Sequence, residues 1–144
     1  MASVFDVADF VLAKVGPISP MKLQKLVYYS QAWHLVWTDS PLFNSRIEAW
    51  ANGPVVPALY EKHRGQYGLN KGFFGGDVSE LTEDEADSIN RVLSSYGDKT
   101  SQWLSDLTHM EEPWKTARNG IPAGERSSRE IPLDSIHEYY SSLQ

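Results

Sequence analysis

From Pro20 to Trp37 the chain offers about five turns of helix with almost no polar face. Leu23, Leu26, Val27, Ser30, Trp33, His34 and Trp37 form one stripe, while Tyr28, Tyr29, Ala32, Leu35 and Val36 occupy much of the remaining surface. A helix apolar nearly all round has no side to turn toward water, so it is central and buried. The rest of a 144-residue chain must then wrap around it. Ser19-Pro20 opens this helix, the hydroxyl as N-cap and the proline at the first helical position, where no amide partner is needed.

The flanking segments read as the wrapping. Ser3 and Asp6 form a capping box ahead of Val4, Val7, Val11 and Val15, an apolar face that stops at Gly16-Pro17. Residues Arg46 to Ala51 alternate as a strand does, carry Ile47 and Trp50, and break at Asn52-Gly53-Pro54. Pro57 starts a short helix closed by Gly65, and the glycines from Gly68 to Gly76 around Phe73 and Phe74 read as a flexible surface connection with both rings tucked against the core. Thr82 and Glu85 form a second capping box before Ala86, Ile89, Val92, Leu93 and Tyr96, and Gly97 ends that helix. Thr100 caps another, with Trp103, Leu104, Leu107 and Met110 expected to face inward; Pro113-Trp114 begins a turn or short helix, and Pro132 to Leu143 reads as the last helix. The expected fold is mainly α: a compact bundle of about six or seven helices around a central apolar helix, with a small β-hairpin near residues 46–56. With no internal repeat and no linker rich in Pro, Gly or Ser, residues 1–144 are expected to form a single domain.

Composition narrows the function classes. The chain has no cysteine, which excludes disulfides, thiolate nucleophiles and Cys-based zinc sites. Its four histidines, at 34, 63, 109 and 137, show neither HxxxH nor HExxH spacing, so neither a metal nor another cofactor is expected. His34 reads as a hydrogen-bonded core residue. His109 and Glu112, three apart on one helix face, are the one candidate pair of base and orienter, but no nucleophile or oxyanion site accompanies them. Gly72-Phe73-Phe74-Gly75-Gly76-Asp77 lacks the spacing and the Lys-Ser/Thr of a phosphate loop. A sequence pI near 5.1 and the absence of helix-turn-helix, zinc-finger or RNP patterns argue against nucleic-acid binding. No apolar run reaches the length of a membrane span and no signal-peptide pattern opens the chain, so a soluble cytoplasmic protein with no membrane partner is expected. Charge is segregated: residues 1–72 carry seven Lys/Arg against five Asp/Glu, and residues 73–144 carry six against fourteen. Solvated helix faces account for most such patterns; if a partner is strongly basic, the acidic stretch with Glu80, Glu83, Asp84, Glu85 and Asp87 becomes a candidate contact.

Four blocks in order carry a family resemblance. Met21-Lys22-Leu23-Gln24-Lys25-Leu26-Val27-Tyr28-Tyr29, continued by Ala32-Trp33-His34-Leu35 and Pro41-Leu42-Phe43, resembles the first block of the Panacea domain, the family of SocA-like antitoxins and phage-associated GepA-like proteins. Glu48-Ala49-Trp50 with Gly53-Pro54-Val55-Val56 and the following Tyr60 is similar to the second, His109-Met110-Glu111-Glu112-Pro113-Trp114 to the third, and Ile131-Pro132 to Tyr139-Tyr140 to the closing helix. The resemblance implies a helical, non-enzymatic antitoxin of a toxin–antitoxin system, often of phage or prophage origin. Its partner would be a cognate protein toxin, typically encoded by the adjacent gene and neutralised by direct contact. Within the family an alternative mode is that of a proteolytic adaptor delivering the toxin to a ClpXP-type protease, and a hydrolase reversing toxin damage through His109 and Glu112 is a third reading. If a toxin-binding surface lies in the resembling blocks, the polar and amphipathic residues that the core does not need are its candidates: Lys22, Lys25, Tyr28, Trp50, Asn52, Tyr60 and Arg64.

Overall fold

The expected central helix is α2 (Pro20–Thr38), and in the computed structural model, which describes residues 2–144, every residue from Leu23 to Ala32 is buried. Around it stand α1 (Val4–Val15), α4 (Glu83–Tyr96), α5 (Ser101–Met110), α7 (Leu133–Ser141) and a hairpin of β1 (Glu48–Trp50) and β2 (Gly53–Val55), of which β2 touches α2 directly. Two shorter helices, α3 (Pro57–His63) and α6 (Glu112–Arg118), complete the seven found among the described residues.

Local chemistry sets the helix starts. The side-chain oxygens of Ser3, Ser19, Thr82 and Thr100 each accept from an amide of the first turn, and Asp6 and Glu85 close their capping boxes at 2.9 and 2.8 Å. Each such cap is worth about 1 kcal/mol. The hairpin pairs Glu48 with Val55, Ala49 with Pro54 and Trp50 with Gly53. On the far edge of β1 the Ala49 amide donates to Arg129 O and the Ile131 amide to Ile47 O, both at 2.8 Å, so the segment after α6 covers that edge. At the turn, Gly53 has φ +118°, and a Cβ there would lie 2.6 Å from Lys25 Cε and 2.9 Å from Thr108 Oγ1. Glycine is needed both for the backbone and for the approach of α2 and α5.

Two expectations are corrected. In α5 the buried residues are Leu104, Ser105 and Thr108, while Trp103 is 45% exposed and Met110 66% exposed. The helix turns small polar residues inward because the hairpin backbone lies against it: Ser105 Oγ donates to Asn52 O at 2.8 Å, and a larger residue would hold the turn away. The glycine-rich connection is clamped to α1. Asp9 accepts the Phe74 amide at 3.1 Å and the Gly76 amide at 2.6 Å, and Asp6 accepts the Asp77 amide at 2.7 Å. A Cβ on Gly76 would meet Phe5 O at 2.6 Å, which explains why the chain carries glycine where it crosses α1. Phe74 is buried, as expected, but Phe73 is exposed. Asp9→Ala is expected to cost about 2–3 kcal/mol. Hydrogen exchange would show Phe74 and Gly76 losing protection while the α2 amides keep theirs.

Candidate functional site

Two of the polar residues in the buried stretch of α2, Gln24 and Lys25, point toward the hairpin. Gln24 pairs with the backbone of Val56 as a strand would: its Oε1 accepts the Val56 amide at 2.8 Å, and its Nε2 donates to Val56 O at 3.3 Å. Those bonds orient the amide, so at 2.9 Å its Nε2 also donates to Nε2 of His63. His63 is therefore the neutral tautomer protonated on Nδ1, consistent with burial lowering its pKa. Gln31, two turns further along, clamps the Leu42 amide and Phe43 O in the same way. Gln24→Leu would leave the amide of fully buried Val56 and Nε2 of His63 without partners, while Val56 O keeps the amides of Leu59 and Tyr60. The loss, about 1–3 kcal/mol, is one that a urea unfolding midpoint would register.

Lys25 is the unusual member. It is 1% exposed, and its ammonium makes a single hydrogen bond, to Pro54 O at 3.3 Å. Among the described residues no carboxylate pairs with it. Burial lowers its pKa from 10.5 to about 8. A base with a lowered folded pKa destabilises the fold in full below the folded value and ceases to do so above the unfolded one. The cost is thus complete at neutral pH, about 3 kcal/mol, and disappears between about 8 and 10.5. Lys25→Met, which keeps the stem and removes the charge, is expected to be the more stable protein at pH 7. The gap should close as both are unfolded at rising pH across that interval.

Lys25, nearly wholly buried, lines an open cleft of about 790 Å³ formed by α2, the hairpin turn and α3, whose more exposed lining includes Arg126, Ser127 and Ser128. Trp50 and Tyr60 form an aromatic wall, edge to face at 4.9 Å between centroids. The Trp50 indole N–H is held by Glu48 Oε1 at 2.8 Å, which locks the ring in place. Met21, 37% exposed, lies at the mouth.

Of the sequence candidates, Lys25, Trp50, Asn52 and Tyr60 converge on this cleft. Lys22, half-buried in the first turn of α2, and Arg64, exposed after α3, are not among its walls. Tyr28 is 1% exposed on another side of α2, where its hydroxyl lies 3.1 Å from that of Tyr140; it is a core residue with no surface to offer a partner. Sequence reasoning missed Gln24, Met21, His63 and the Arg126–Ser128 rim. A Gln-Lys pair inside a largely apolar helix was the available signal for the first; nothing local marks the loop. His109 and Glu112 do not form a pair. The imidazole Nε2 donates to Ala51 O at 3.0 Å and the ring packs on Trp114, whereas Glu112 faces Lys115 at 3.3 Å on the exposed side of α6.

Among the described residues no helix is long and apolar enough to cross a membrane. No solved structure matches the chain. The chain is similar to the protein called Antitoxin SocA from Caulobacter vibrioides (strain NA1000 / CB15N), 32% identical over 130 residues that span 79% of this chain and 69% of that one. The profile described as "Antitoxin SocA-like, Panacea domain" matches residues 23–115, a stretch that runs from the Gln24-Lys25 pair through the hairpin and α3 to Trp114 and leaves the Arg126–Ser128 rim outside. The elements that build the floor and aromatic wall of the cleft are therefore the ones the match covers, and the chain belongs to the SocA-like antitoxin, Panacea-domain family.

Proposed function

We propose that this protein is the antitoxin of a toxin–antitoxin pair, a non-enzymatic protein that binds a cognate toxin encoded by the adjacent gene and occludes it. Family membership supports the role. The observation that carries the mode is the cleft: a rigid Trp–Tyr wall with Asn52 and the buried Lys25, arranged as an interface anchor and not as a reaction centre. The separation of His109 from Glu112 supports a binding role over hydrolysis. Trp50 and Tyr60 present large rings with few rotamers to lose, the economical way to bury area against a partner.

The test is co-expression with the adjacent gene, followed by pull-down and size exclusion with toxin activity as readout. A stoichiometric complex that silences the toxin is the expected result. Continued growth arrest in the presence of folded protein would overturn it. Toxin half-life measured in the same cells separates occlusion from delivery to a ClpXP-type protease, because only delivery shortens it.

A further inference from the structure

We propose that the base of the cleft is a carboxylate-receiving site, in which Lys25 takes an Asp or Glu side chain that the bound partner protein inserts between Trp50 and Arg126. The inference rests on the antitoxin reading for the identity of the partner, but the site itself rests on geometry. A buried ammonium usually has a carboxylate beside it, because an unpaired charge out of water is costly. Lys25 has only the Pro54 carbonyl, leaving two of its three donor directions without a protein acceptor.

Local charge points the same way. The chain carries nineteen Asp and Glu, yet no acidic residue lines this cleft. Its ionisable residues are Lys25 and Arg126, a neutral His63 and the Tyr60 phenol. An entering carboxylate meets an ammonium and a guanidinium, while Glu48, which holds the Trp50 indole N–H, is itself paired with Arg46 and is not among the walls. The methylenes of an Asp or Glu side chain would lie along the Trp50–Tyr60 wall, and the exposed Asn52 amide stands at the mouth to bond the neighbouring backbone. Arg126 follows the turn in which Arg118 Nη2 holds Pro122 O and Glu125 O, so the rim cation is carried on an anchored segment.

The experiment has two arms, each run on wild type and Lys25→Met. In the first, benzoate and its uncharged isostere benzamide are titrated while the Trp50 indole N–H is followed by NMR. The expected result is a saturable shift with benzoate, at least tenfold weaker with benzamide and lost in Lys25→Met. Equal responses to the two probes, or a benzoate response that survives the substitution, would overturn the site. In the second arm both proteins are titrated with the toxin. Lys25→Met is expected to bind at least tenfold more weakly while unfolding at a temperature no lower than wild type, so that lost affinity is not lost fold. Unchanged toxin affinity would overturn the insertion of a partner carboxylate and leave the antitoxin reading standing. Failure of wild type to bind the toxin would sink the antitoxin reading, and the partner with it, while the benzoate arm still decides whether the cleft receives a carboxylate.

Discussion

Arg118→Ala is expected to lower stability by about 3–4 kcal/mol, seen as a fall of roughly 10 °C in the thermal midpoint. Arg118 is 2% exposed and heads the fully buried side chains by volume. Its guanidinium lies 4.8 Å from the Trp114 ring centre and, without a carboxylate, donates only to carbonyls: Ala49 O at 3.1 Å, Pro122 O at 2.8 Å and Glu125 O at 2.6 Å. Those bonds tie three separate pieces of chain together: the last turn of α6, the middle of β1 and the loop that carries the cleft rim. Removing them strands the carbonyl of fully buried Ala49 and frees the loop, so limited proteolysis should cut between residues 119 and 130 before the helical core opens. Arg118→Lys should recover only part of the loss. An ammonium on a shorter stem has no planar fork with which to span three acceptors. Cleavage no faster than in wild type would show that the loop is held by its pairing with β1 alone.

Glu111→Ala is expected to be of similar size, about 2–5 kcal/mol, through a different mechanism. Glu111 is 6% exposed between α5 and α6, and its Oε1 accepts the hydroxyls of Tyr29 and Tyr140, both at 2.7 Å. Tyr140 stands edge to face against Tyr28, Tyr29 and Trp33, so one carboxylate oxygen organises the ring cluster that joins α2 to α7. Alanine leaves the buried Tyr29 hydroxyl without an acceptor and Tyr140 with only the longer contact to the Tyr28 hydroxyl. Glu111→Gln keeps the acceptor and removes a buried charge, so it should match or exceed wild type at pH 7. The carboxyl pKa is raised above 4.5 chiefly by burial, against the pull of its two tyrosine bonds. A raised acid favours the fold most below its unfolded value and progressively less as pH climbs through the folded one. The advantage of Glu111→Gln over wild type should therefore appear as pH rises above 4.5 and level off above the folded pKa. An advantage independent of pH would show that the carboxyl titrates alike in the folded and unfolded protein, so that burial does not raise it.

How much was legible beforehand follows from how local each feature is. The capping boxes at Ser3 and Thr82 and the proline start of α2 involve residues within three positions of one another, so they are written in the order of the chain. The hairpin announced itself by Asn52-Gly53-Pro54, because few residues tolerate the φ of +118° found at Gly53. The face of α5 was misjudged for the complementary reason. Apolar spacing favours Trp103 and Met110 as core, but the hairpin turn demands a close, hydrogen-bonding surface: Ser105 and His109 donate to Asn52 O and Ala51 O, and Thr108 packs against Gly53.

The candidate site divides along the same line. The sequence by itself determined a central helix with no solvent face, the aromatic residues at 50 and 60, and the family through its ordered blocks, since helical periodicity and motif order are properties of neighbouring residues. Only the tertiary structure decided that Lys25 is buried beside Pro54 without a carboxylate, that Tyr28 belongs to the Tyr140–Glu111 cluster, and that a loop one hundred residues downstream of Lys25 sets Arg126 on the rim of the same cleft. Charge pairing and burial depend on what the chain brings back from far away in sequence, and no local pattern carries that information.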